Sequence, residues 1–191
     1  MLLPILAATA LCCLVMTAVF IYAKKINNFS IVDIAWSYNF PLIALLLFRL
    51  GEGLALRKLL LLIAVGVWGF RLGTHLLVRI KKHLDVEDGR YLTLRQEWAA
   101  NLNVKFFQFY LMQAISNVFL AIPFFIIAHN SSTEIYPLEY FGFGICLLAL
   151  FGEGIADAQL AKFKKDTNRT GKVCNIGLWK FSRHPNYFFE F

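Results

Sequence analysis

The chain has 191 residues, of which 59% are hydrophobic, 16% aromatic and only 16% charged. A soluble domain carries about a quarter charged residues, so the composition excludes an ordinary water-soluble fold. The net charge is +7, but the basic residues sit in connections between apolar runs, which points to membrane orientation and away from nucleic acid as a partner.

The first apolar run, Met1 to Ala23, is interrupted only by Thr9 and Thr17. It is long enough to cross a bilayer and lacks the basic start of a secretory signal, so it is predicted to be a membrane helix. The second run goes from about Ile31 to Phe48, interrupted by Asp33 and Pro41. The third covers Leu54 to Ile80, the fourth Val104 to Ala128 and the fifth Tyr136 to Phe163. Between the third and fourth, Leu92 to Leu102 has the composition of an interfacial helix. The prediction is an all-α polytopic membrane bundle of about five transmembrane helices, with residues 1–191 forming a single membrane domain.

Basic residues set the expected orientation. Lys24 and Lys25 follow the first helix, Arg79, Lys81, Lys82, Arg90, Arg95 and Lys105 flank the third connection, and Lys162, Lys164, Lys165, Arg169, Lys172, Lys180 and Arg183 follow the fifth. The alternate connections are poor in Lys and Arg, so the N-terminus is expected outside and the C-terminal tail in the cytoplasm. That membrane would be the endoplasmic reticulum in a eukaryote or the cytoplasmic membrane in a bacterium. Cys12, Cys13 and Cys146 lie inside apolar runs and Cys174 is alone, so neither a disulfide framework nor a metal site is expected.

Polar residues at bilayer depth need a partner, a cavity or a ligand. Arg71, His75 and Arg79 share one face of the third helix, Gln113 and Asn117 one face of the fourth, and Glu153 and Asp157 one face of the fifth. These three sets are expected to line an interior polar seam of mixed sign. The amide pair also fits plain helix-to-helix bonding, and the arginines fit snorkelling to the interface. Two carboxylates on one face repel unless a cation or a hydrogen-bonding ligand separates them, which favours a functional role for Glu153 and Asp157.

Two further segments carry chemistry. Glu87-Asp88-Gly89-Arg90-Tyr91 joins acid, guanidinium and phenol, with a solvated turn around Gly89 as the plainer reading. In GLWKFSRHPNYFFEF, Arg183 and His184 suit a phosphate, Asn186 an amide or ribose, and Tyr187 supplies a phenol. The plainer reading of that tail is an amphipathic juxtamembrane segment.

SIVDIAW (Ser30 to Trp36), WGFRLGTHLLVR (Trp68 to Arg79), EDGRY (Glu87 to Tyr91), EGIADAQLAKFK (Glu153 to Lys164) and GLWKFSRHPNYF (Gly177 to Phe188) occur in this order. Together they resemble the steroid 5-alpha-reductase-like membrane proteins, in the branch still called a domain of unknown function. That branch shares a superfamily with sterol reductases and isoprenylcysteine carboxyl methyltransferase. The resemblance implies a polytopic enzyme that binds NADPH and reduces a conjugated double bond in a lipid or sterol-like substrate. By motif, it implies dinucleotide contacts at Asp157, Lys164, Asn186 and Glu190, with Arg90 and Tyr91 where the cytoplasmic connection closes over the cofactor. Glu153, Arg183, His184 and Tyr187 join them as cofactor-binding candidates on their own chemistry, and Tyr91 and Glu190 are the catalytic candidates. No GxGxxG motif is present, so a Rossmann site is not expected.

The last motif is shared with the methyltransferases, which leaves S-adenosylmethionine as the alternative cofactor. The chain carries Phe189 where the resembled proteins carry glycine, and it reads as a shortened member ending at Phe191. Weak or absent catalysis is therefore expected, with a non-catalytic membrane protein as the third class.

Overall fold

The computed structural model describes residues 1–82, 86–166 and 171–190, Glu190 by its backbone alone. Contacts divide the chain into two compact units, Met1–Glu134 and Ile135–Phe191. All regular structure among the described residues is helical. That is what a lipid environment demands, because a helix satisfies its own backbone hydrogen bonds where no water can.

The first unit contains α1 (Leu2–Ile26), α2 (Val32–Leu50), α3 (Ala55–Lys81), α4 (Gly89–Glu97), α5 (Leu102–Leu120) and α6 (Ile122–Ala128). α1 buries a stripe of small and flexible residues, Ala8, Cys12, Met16 and Ala23, and leaves Leu2 and Leu14 exposed, as a lipid-facing helix does. It ends at Asn27, whose left-handed conformation (φ 53°) turns the chain. The Asn28 side chain then accepts from the Ser30 N–H at 3.0 Å and starts a short 3-10 turn, Phe29–Ile31.

α2 is the central helix, packed against α3, α1, α5 and α6. Its Pro41 removes a backbone donor, and the ring packs onto the bare face of Gly69 on α3. A Cβ at residue 69 would come within 2.5 Å of Pro41 Cδ and 3.0 Å of the Ser37 carbonyl oxygen. Neither neighbour can yield without moving the α2 backbone. Gly69→Val is therefore expected to destabilise the first unit by about 1–3 kcal/mol, read as earlier thermal unfolding in detergent. An unchanged transition would show that this contact is loose.

A neutral polar chain joins α2 to α5. Asn39 Nδ2 donates to Asn117 Oδ1 at 2.9 Å, Asn117 Nδ2 to the Trp36 carbonyl at 3.0 Å, and Trp36 Nε1 to Ser116 Oγ at 3.0 Å. Asn117 thus does the helix-bridging work that the plainer sequence reading gave it.

The fourth apolar run departs from a single straight span. It is divided at Ala121 into α5 and α6, and the residues from Ala99 to Ala128 bend by 41° there. Pro123 explains the break, since it cannot donate to the preceding turn. Among the described residues four helices are long and apolar enough to cross a membrane, and the bent pair makes a fifth if it is one span.

The interfacial helix also differs from expectation. It starts at Gly89, not Leu92, because the Asp88 side chain caps it through the Arg90 N–H at 3.2 Å. Gly89 therefore opens a helix and is not the centre of a turn. A 3-10 turn, Ala99–Asn101, leads into α5.

At the other end of this unit, buried Arg57 holds the segment after α6. Its guanidinium donates to the carbonyls of Asn130 (3.2 Å), Ser132 (2.9 Å) and Glu134 (2.6 Å). Asn130 is exposed, and its Oδ1 accepts from the Ser132 N–H at 2.9 Å. Asn130-Ser131-Ser132 is a glycosylation sequon, as is Asn168-Arg169-Thr170, which lies outside the described residues. Expression in microsomes is expected to add sugar at Asn130 only. Sugar at Asn168 would reverse the orientation inferred from the basic connections.

The second unit contains α7 (Pro137–Lys165) and α8 (Pro185–Glu190) with a returning segment between them. Pro137 and the reciprocal Tyr136–Glu139 capping bonds start α7.

Candidate functional site

Two polar clusters emerge, one in each unit. The first gathers around the α1–α2 turn. The Tyr91 hydroxyl donates to Asp33 Oδ1 at 2.7 Å, and the Arg90 guanidinium lies 3.6 Å from Asp33 Oδ2. Arg90 also sits over the Tyr91 ring, 5.3 Å from its centroid. Tyr91 is fully buried, whereas the Asp33 side chain keeps 28% of its surface open. Burial first, then the Asp33 charge and hydrogen bond, push the Tyr91 phenol above its ordinary range. The phenol is therefore a hydrogen-bond donor at neutral pH, and the carboxyl is the member of the pair within reach of another molecule.

Beside this pair, Glu87 and Arg95 bolt the connection to the turn. Glu87 Oε2 accepts from Arg95 Nε at 2.8 Å, and Glu87 Oε1 accepts from the Phe29 N–H at 2.5 Å. Arg95 lies over the Phe29 ring, 5.0 Å from its centroid, and that ring stacks on Phe106 at 3.9 Å. Asp88 pairs with Arg79, and its N–H donates to Ser30 Oγ at 2.9 Å. A cavity of about 470 Å³ opens here, lined by Ser30, Arg79, Ile80 and residues 86–89.

In the second unit the tail folds back on α7. The Leu178 N–H donates to Gln159 Oε1 at 2.9 Å, and Trp179 Nε1 donates to the Ala156 carbonyl at 2.9 Å. Gly177 makes this approach possible: its φ is +54°, and a Cβ there would overlap the Gln159 side chain. Asn186 Nδ2 reaches Asp157 Oδ1 at 3.4 Å, joining two motifs 29 residues apart. Phe189 rests on Gly152, where any Cβ would overlap the ring. The bulk noted at position 189 is thus housed in a notch that a glycine on α7 provides.

The sequence candidates divide accordingly. Asp157 and Asn186 come together, and His184 and Tyr187 stack with ring centroids 5.4 Å apart. Glu153 is buried one turn before Asp157 on α7. Lys164, Arg183 and His184 are exposed cations or titratable groups, Lys164 in the last turn of α7. Arg90 and Tyr91 belong to the first cluster. The Glu190 side chain lies outside the described residues. Sequence reasoning missed Asp33 as a site residue, although a carboxylate inside an apolar run was a usable signal. It also missed the Glu87–Arg95 pair, which no local pattern announces.

Four to five apolar helices long enough to span, with polar clusters beside them, mark an integral membrane protein in a lipid bilayer. The chain belongs to the family described as protein of unknown function (DUF1295), which it matches over residues 19–191. No curated protein matches it. No solved structure matches it either.

Proposed function

We propose that the chain is a membrane-embedded, NADPH-dependent reductase of a conjugated carbon–carbon double bond in a lipid or sterol-like substrate, with its basic connections in the cytoplasm. The steroid 5-alpha-reductase-like motifs motivate the reading, and Asn186 carries it. Asn186 Oδ1 is buried with no hydrogen-bond partner among the described residues, while its Nδ2 is engaged by Asp157. Leaving such an acceptor unmatched costs about 1–3 kcal/mol, which a hydroxyl or carboxamide donor on a nucleotide would offset.

The surrounding donor set fits a dinucleotide. Arg183, His184 and Lys164 suit phosphates, and the Asp157 carboxylate suits a ribose hydroxyl. NADPH held there would supply the hydride that the β carbon of the enone takes, and the α carbon would take a proton from solvent. The Asp33–Tyr91 pair lies in the first unit and is assigned no step in the transfer.

The test is titration of the purified, detergent-solubilised protein with NADPH and, separately, with S-adenosylmethionine. NADPH is expected to bind, and Asn186→Leu or Asp157→Leu to weaken it about ten-fold or more with elution unchanged, a loss of about 1.4 kcal/mol. Equal affinity in well-folded variants removes both residues from the site. Binding of S-adenosylmethionine alone would replace reduction by methyl transfer, and binding of neither would leave a non-catalytic membrane protein.

A further inference from the structure

The segment that returns along α7, including the start of α8, has a feature that nucleotide binding does not use. α7 is 29 residues long, or about 43 Å at about 1.5 Å per residue, against a hydrocarbon core of about 30 Å. About 20 residues suffice to cross, so a span begun at Pro137 reaches the far boundary near Ala156, and Lys162 to Lys165 project beyond it. The hydrogen bonds of the returning segment tie it to this boundary level. Its anchors on α7 are Ala156, Asp157 and Gln159, and Gly152 lies deeper still under Phe189. The segment therefore dips back to the depth where headgroups meet acyl chains.

Its exposed side chains match that depth. Phe181 is 88% exposed and Phe188 74% exposed, and Val173 is exposed as well. Lys172 and Lys180 are exposed beside them, and no Asp or Glu occurs from Gly171 to Phe189. Aromatic groups with cations and no acids are the composition of a surface that lies in an anionic interface. In water, two exposed phenylalanines at this density would gain nothing. At the boundary they enter the acyl region while the lysines stay with phosphates.

We propose that residues 172–188 form a re-entrant interfacial anchor, with Phe181 and Phe188 embedded among acyl chains and Lys172 and Lys180 bound to acidic lipid headgroups. The lipid contacts use Phe181, Phe188, Lys172 and Lys180, none of them assigned to the nucleotide, so the anchor stands whether or not the chain binds NADPH.

The test places a photoreactive p-benzoylphenylalanine at Phe181, at Phe188 or, as the projecting control, at Lys165 of the full chain. Each protein is reconstituted in nanodiscs of phosphatidylcholine with a minor fraction of phosphatidylglycerol, irradiated, and weighed by mass spectrometry. Lipid adducts are expected at 181 and 188 and not at 165, with phosphatidylglycerol over-represented relative to its mole fraction. Lys172→Gln and Lys180→Gln should each reduce that enrichment about five-fold, toward the mole fraction. Absence of lipid adducts at both phenylalanines would overturn the proposal, as would cross-links between two copies, which would make this face a protein interface. Enrichment unaffected by both lysine changes would overturn the headgroup assignment.

Discussion

Glu87→Ala is expected to lower the stability of the first unit by about 3–5 kcal/mol. The Glu87 side chain is only 5% exposed and serves two donors at once, the Arg95 guanidinium and the Phe29 N–H. Removing it leaves Arg95, over the Phe29 ring, with its bonds to Asn27 but no counter-charge, and leaves a buried backbone donor unmatched. Phe29 is also stacked on Phe106, and its carbonyl accepts from the Tyr110 hydroxyl at 2.8 Å, so the loss is transmitted to α5. Thermal unfolding in detergent, followed by tryptophan emission, measures this. Glu87→Gln should recover part of the loss by keeping an acceptor for Phe29. Pairing Glu87→Met with Arg95→Met should recover more, because no charge is then left alone. If the single alanine variant unfolds at the wild-type temperature, the pair is not a bolt.

Asp33→Leu is expected to lower the stability of the first unit by about 1–3 kcal/mol, because it leaves the buried Tyr91 hydroxyl without its acceptor. Asparagine retains an oxygen that can accept from Tyr91, so Asp33→Asn should keep the packing of α4 against the α1–α2 turn. What asparagine removes is the charge that faces Arg90. Thermal unfolding in detergent measures both, and an Asp33→Leu variant that unfolds at the wild-type temperature would show that the Tyr91–Asp33 bond does not hold the turn. The Tyr91 phenol adds a pH signature. Its pKa is raised by folding, so the folded state favours the protonated form. The stabilisation is complete below the unfolded value of about 10 and is lost as pH rises from there through the folded value. Ultraviolet titration of wild type against Tyr91→Phe should therefore show no phenolate signal from Tyr91 below about pH 10.

The number of apolar runs and their approximate ends were legible from composition, because bilayer thickness imposes a length that any span must meet. α1 (Leu2–Ile26), α3 (Ala55–Lys81) and α7 (Pro137–Lys165) begin and end within a few residues of the apolar boundaries. The tail motif was likewise legible as a polar cluster, and Asn186 does meet Asp157. Orientation rests on the basic connections alone.

Long-range geometry was decided only by the tertiary structure. The bend at Ala121 lies inside Val118 to Ala128, a stretch apolar throughout, so only the missing donor of Pro123 marks it. Asp33 reads as an isolated charge until the fold brings Tyr91 and Arg90, 58 and 57 positions away, to within hydrogen-bonding and ion-pairing distance. Glu87 and Arg95 lie in one polar connection, yet their shared partner Phe29 belongs to a turn far earlier in the chain. Spanning segments follow from local hydropathy, which each stretch carries in itself. Polar partners at the ends of those segments follow from which helices pack together, and that depends on side-chain fit such as Pro41 on Gly69, which no single stretch contains.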